Sequence, residues 1–231
     1  GEKMAFSGGI PFLIFRSFFI TVMTLGMMAS LTEFRFGVKK LLKILILYLV
    51  WTAAACAVLL RMGGEIGYHG YNHMPLVLNN FDYGDEFDTY KQWESPDDIR
   101  AAMTELDRFC REVFPNETFQ VYVPPSNILS EEGRQILAED FLDVKAVASI
   151  YFTGEFEYEQ EFEVAADGVV ETPRVISGYV LDSYMQIAAL SELNMHFVSS
   201  HFQHPDDTLD EDRGAALGWE TMRNNLDNYM D

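Results

Sequence analysis

The chain has 231 residues, a formal charge of −20 and 48% hydrophobic residues. That apolar content excludes wholesale disorder. Its two cysteines, Cys56 and Cys110, are too few for a disulfide scaffold or a Cys-rich zinc module. The charge is unevenly spread: seven Lys/Arg and two Asp/Glu come before Glu65, nine Lys/Arg and 34 Asp/Glu from Glu65 onward. An acidic body of this kind repels phosphate backbones, so nucleic acid is not an expected partner.

Residues 1–64 read as a membrane-spanning helical hairpin. Ser17 to Thr32 is uncharged, with apolar character reaching back to Ile10, and Ile44 to Leu60 is uncharged again. A helix of about 20 residues crosses about 30 Å of hydrocarbon. The first run meets that length if Arg16 snorkels. Two buried helices of a water-soluble fold are the alternative, but neither segment has a polar face. The connector carries Arg35, Lys39, Lys40 and Lys43, which favours the cytoplasmic side. Residues 10–62 are thus expected in a cell membrane, with the acidic domain on its external face. A signal peptide fits less well, since its apolar core is shorter and a second span follows.

Residues 65–231 read as an α/β domain. Short β-rich runs occur at Glu65–His69, Phe119–Val123, Val144–Phe152, Val169–Ile176 and Met195–Ser199. Helical patterns lie between and after them. Ser95-Pro96-Asp97-Asp98 opens one helix with an N-cap, a first-turn proline and two acids on the helix dipole. Ile99, Met103, Leu106, Cys110 and Val113 then recur at helical spacing. Ser130 opens a second helix with Ile136 and Leu137 inward. Asp182 caps a third with Met185, Ala189 and Leu193 on one face, and the last carries Trp219, Met222, Leu226 and Tyr229. Alternating β and α units imply a mostly parallel sheet, whose sites lie beyond the carboxyl ends of the strands. Phe152–Val164, rich in Glu and aromatics, reads as a hairpin or edge insertion.

The five histidines fall into two groups, each near the end of a candidate strand. In the first, His69 and His73 are four apart, a spacing that lets two imidazoles converge on one ion. Two histidines hydrogen-bonded within a loop are the alternative. In the second, His196 and Val198 share one strand face, while His201 and His204 emerge past its end. Asp206 or Asp207 can orient an imidazole, or Asp207 can cap a following turn.

These motifs resemble, in order, those of the polysaccharide deacetylase superfamily. His69-Gly-Tyr-Asn-His73 is similar to its metal motif, Val121-Tyr-Val-Pro-Pro125-Ser-Asn127 to its groove motif, and Phe197 to His204 to the late motif that supplies a catalytic histidine. The resemblance implies a partial or distorted (β/α) barrel after the transmembrane hairpin. It implies a divalent metal, usually Zn2+, on His69 and His73, with His201 or His204 protonating the leaving amine of an N-acetylated polysaccharide. Pro125, Ser126 and Asn127 would then shape the substrate groove, and Tyr71, Trp93 and Tyr122 could stack on sugar rings, with buried packing the commoner fate of such aromatics.

The sequence departs from that pattern. No aspartate precedes Asp82, so the Asp-Asp pair that supplies the superfamily's base and third ligand is missing from its place. Asp82, Asp85, Asp206 or Asp207 could supply a carboxylate, and Arg174 could replace the groove arginine. The activity that the resemblance implies is removal of N-acetyl groups from a cell-envelope or extracellular polysaccharide. An inactive or truncated form, or a membrane-anchored carbohydrate-binding pseudoenzyme, stands beside it. Met62-Gly63-Gly64 reads as a seam. His204-Pro-Asp-Asp207 also matches four letters of a different group, the N-acetylglucosaminyl deacetylases, whose further ligands have no counterpart after Asp207.

Overall fold

The computed structural model describes residues 38–79, 81, 91–153, 160–180 and 182–230. The chain divides into two compact units, Gly1–Glu65 and Ile66–Asp231. In the first unit, helix α1 spans Val38–Arg61. Leu45, Ile46, Leu47, Leu49 and Val50 along it are half or more exposed.

Among the described residues, no helix is long and apolar enough to cross a membrane. Lys39, Lys40 and Lys43 load the first turns of α1 and Arg61 closes its end. The uncharged stretch between them comes to about 25 Å at about 1.5 Å per residue, short of about 30 Å of hydrocarbon. The other proposed span, 10–32, lies outside the described residues. The transmembrane hairpin and the external placement of the acidic domain are corrected accordingly.

In the second unit every named strand pairs in parallel. Strands β1 (Val121–Tyr122), β2 (Ala146–Ala148) and β3 (Val170–Thr172) form a three-stranded sheet in that order. Tyr68 extends it through a parallel bridge to Tyr122. Strands β4 (Ile176–Ser177) and β5 (His201–Phe202) form a second, two-stranded sheet. The expected (β/α) barrel is therefore corrected to a mixed α/β architecture with two small parallel sheets. The burial pattern fits an open sheet. Tyr68, Tyr122, Val147 and Glu171 are successive cross-strand partners and all are buried. The residues just before three of them, Val121, Ala146 and Val170, are half-buried or exposed, whereas a closed barrel of parallel strands buries both faces.

Two helices cover the buried face. Helix α2 (Pro96–Val113) starts as its sequence dictates: Ser95 Oγ accepts from Asp98 N at 3.3 Å, and Asp97 and Asp98 occupy the first turn. Ile99 and Met103 are buried from it, while Leu106 and Cys110 pack at the margin and Val113 is exposed. Helix α3 (Glu131–Asp140) is capped by the buried Ser130, whose Oγ accepts from Gly133 N at 3.0 Å and donates to Leu76 O at 2.9 Å. A Cβ on Gly133 would lie 2.1 Å from Leu76 O, so only glycine lets α3 approach this closely. Arg134 of α3 reaches Glu171 and Tyr151 Oη and also pairs with Asp167 at 2.8 Å, tying α3 to β3. Burial pushes the Glu171 carboxyl up.

The carboxyl-terminal part holds α4 (Ser183–His196), α5 (Pro205–Leu209) and α6 (Trp219–Met230). Asp182 caps α4, accepting from Met185 N at 2.8 Å. The expected strand at Met195–Ser199 is corrected. Met195 and His196 end α4, and Phe197 turns the chain out in the left-handed region at φ 61°. The strand comes later, at His201. The central part of the expected Phe152–Val164 insertion lies outside the described residues, and its end bridges Val164 to Val170 in antiparallel sense.

Candidate functional site

Three neighbouring strands are interrupted at one level. Tyr68 pairs with Tyr122, the chain then makes a 3-10 turn at Tyr71–His73, and pairing resumes at Leu76 with Leu129. Beyond β1 a second 3-10 turn occupies Pro125–Asn127 before Ile128 pairs with Phe152. Beyond β2 the chain turns at Ser149 before reaching Phe152. Five non-glycine residues in these turns have left-handed backbone: Asn72, His73, Ser126, Asn127 and Ser149, with φ of 52°, 59°, 54°, 58° and 79°. Such conformations persist only where surroundings hold them, and they concentrate at functional sites. Gly70 supplies the close approach. At φ 68°, a Cβ there would lie 2.6 Å from Pro125 Cγ and 2.7 Å from Met74 O.

The histidine pair sits on the first turn, past the carboxyl end of its strand. Its rings contact edge to face with centroids 4.8 Å apart. His69 Nδ1 lies 2.9 Å from Val123 O. A carbonyl only accepts, so Nδ1 carries the hydrogen and Nε2 presents its lone pair. Burial lowers the His73 pKa, and the neighbouring charges of His69 and then His204 lower it further. The contribution of His204, from the far end of the chain, is the smallest of these.

His204 caps α5. Its Nδ1 lies 3.1 Å from Asp206 Oδ2, an ion pair when the ring is protonated. Asp207 Oδ2 accepts from His204 N at 2.7 Å and its Oδ1 pairs with Arg213 at 3.2 Å, so this carboxylate serves the turn. Phe202 stacks on His204 with centroids 6.1 Å apart, and Arg174 lies over the same Phe202 ring, 4.9 Å from its centroid.

The remaining candidates are dispersed. His201 Nε2 meets Gly178 O at 2.7 Å and its ring contacts Tyr229. Tyr122 is fully buried. Trp93 is half-buried and donates from Nε1 to Pro75 O at 3.0 Å. Tyr71, Ser126 and Asn127 are half-buried and Pro125 is buried. Asp82 and Asp85 lie outside the described residues. Ser149 escaped sequence reasoning because Val144–Phe152 reads as one unbroken strand. The polar serine inside that apolar run was the available signal.

Among the described residues, no group of three or more His, Cys, Asp or Glu side chains is arranged to hold a metal ion. Among the described residues the two clustered imidazoles bring no carboxylate with them, and Asp207 is occupied by its own turn. The donor set that these residues present does not fit a zinc centre.

Fold and site together define a parallel α/β protein with an imidazole cluster beyond its strand ends. Residues 37–231 match a family described as uncharacterised proteins conserved in bacteria (DUF2194), and the chain belongs to that family. The match takes in α1 as well as the acidic body. No curated protein and no solved structure matches the chain. The resemblance to polysaccharide deacetylases is corrected by this membership. It rested on short motifs, of which a four-residue histidine spacing is easily met by an ordinary loop.

Proposed function

We propose that the protein is a hydrolase that performs acid–base chemistry with the His69, His73 and His204 side chains on an uncharged polar substrate, an N-acetylated carbohydrate. The observation that carries this reading is the contact between His69 and His73 at the strand ends, with His73 biased toward its neutral form. A neutral imidazole accepts a proton from attacking water. His204, paired with Asp206, is the group proposed to return one to the leaving group. His69, with its tautomer held by Val123 O, offers Nε2 to orient the water. The formal charge of −20 disfavours polyanionic substrates and leaves neutral glycans unopposed.

The test is acetate release from N-acetylglucosamine oligomers by the full chain. Loss of a general base costs roughly 10²–10⁴-fold in rate, so His73→Ala is expected to fall by that factor. Activity is expected to survive EDTA. Loss on chelation, restored by zinc, would return an ion to the site and overturn the side-chain-only chemistry. A second reading, non-catalytic binding of the same glycans, is favoured by the commitment of Asp207 to its capping role. Saturable glycan binding without acetate release selects it.

A further inference from the structure

We infer that Ser126 and Ser149 hold the ligand of this site, through paired hydrogen bonds to neighbouring hydroxyl or amide groups of a saccharide. The inference rests on the reading above that the site takes an uncharged polar ligand, and it names the residues that would recognise one. Ser126 Oγ and Ser149 Oγ are both buried without a hydrogen-bond partner among the described residues. Ser149 as a residue is only 3% exposed. Burying an unpaired hydroxyl is costly, and each such group in a folded protein calls for an explanation.

Among the described residues Tyr122 Oη and Glu171 Oε2 are also unpartnered, and they belong to the buried rung that faces the helices. The two serines are different. Each follows the carboxyl end of its strand, β1 or β2, and each is held in left-handed backbone that serine does not prefer. Their turns are joined, since Phe152 N donates to Asn127 O at 2.8 Å. The Ser126 turn also abuts the histidine turn through Pro125 and Gly70. Three contiguous turns thus present, in order, two imidazoles, one unpaired hydroxyl and another.

Neighbouring strands lie about 4.8 Å apart, a separation that a sugar ring or an acetamide spans with two polar groups. A hydroxyl both donates and accepts and carries no charge. The pair therefore suits a neutral ligand with alternating donors and acceptors, and the formal charge of −20 disfavours an anionic one. Rotation about the single Cα–Cβ bond redirects either hydroxyl toward a ligand atom entering between the turns.

The test is titration of the full chain with N-acetylglucosamine oligomers by calorimetry, alongside thermal unfolding. Ser126→Ala and Ser149→Ala remove no protein partner, so Tm is expected to hold or rise. Each is expected to weaken Kd by about tenfold, the worth of one hydrogen bond. Ser149→Gly removes the same hydroxyl while suiting φ 79° and serves if the alanine variant does not fold. Wild-type Kd in both serine variants, with acetate release abolished by His73→Ala, overturns this inference and leaves the hydrolase reading standing. Weakened Kd in the serine variants, with no acetate release from the wild-type chain, supports the inference and removes the hydrolase. A wild-type chain that binds no neutral saccharide overturns both.

Discussion

The two parallel sheets of the acidic body are built from the same kind of unit and are packed very differently. Around β1, β2 and β3, α2 and α3 close over a continuous core that includes Tyr68, Leu76, Met103, Phe119, Leu137 and Val147. Around β4 and β5, Ile176, Ala189 and Met222 are buried, while Tyr184, Ile187, Leu190 and Met195 of α4 and the following Phe197 are exposed. Helices α2 and α3 each present one apolar side to the sheet. Helix α4 scatters its apolar residues around its circumference, so no single docking can cover them. The difference teaches where the site gets its rigidity. His69, His73, Ser126 and Ser149 stand on the well-packed sheet, and His204 is delivered by the sparsely packed one.

That contrast can be broken or sharpened by substitution. Phe119→Ala in the dense core is expected to cost about 3–5 kcal/mol in urea unfolding. Arg134→Ala strands Glu171 as a buried, uncompensated carboxylate and is expected to cost about 3 kcal/mol. Adding Glu171→Gln should recover part of that loss. Ser130→Ala removes a buried cap and a bond to Leu76 O, for about 1–2 kcal/mol.

The pH dependence is a smaller effect. The unfolded chain protonates His73 near its ordinary pKa of 6.5, while burial and the neighbouring imidazoles hold the folded-state pKa lower. The unfolded state therefore binds the proton first, and stability falls as pH drops through 6.5 toward the folded value. His73→Gln should flatten that slope, read from urea midpoints at neutral and mildly acid pH. On the other side of the comparison, Ile187→Ala is expected to stay within about 0.5 kcal/mol of the parent. A loss as large as that of Phe119→Ala would mean that α4 is covered in solution.

Local signals were readable where one physical cause acts alone. Ser95-Pro96-Asp97-Asp98 and Ser130 state their caps in the sequence, and the helices begin where those residues place them. Asp182 does the same for α4. At Met195–Ser199 a β-rich composition competes with helix continuation from Asp182, and the helix runs on to His196. The closure of the sheet could not be read at all. Period-two patterning shows which residues point one way, but not whether another layer meets them. For the site, spacing brought out His69 and His73. The arrival of His204 depends on tertiary pairing of Ile176 with His201, which no local pattern encodes. Helix α1 reaches a spanning length of about 20 residues only when Leu41 and Leu42 are counted across Lys43. The lysines of its first turns interrupt that length.

Parallel pairing also governs how this molecule must be assembled. Val121 waits for Ala146, Ala146 for Val170, and Tyr68 for Tyr122. None of these partners is reached by a tight turn, so each contact carries the entropy of closing a long loop before it returns any stabilisation. Refolding on the order of milliseconds to seconds is the natural outcome of such high contact order. Throughout that interval the apolar residues that the assembled sheet buries, Leu76, Phe119 and Val147 among them, remain available to other chains. A newly synthesised molecule thus has its greatest need of chaperones before its slowest loops have closed.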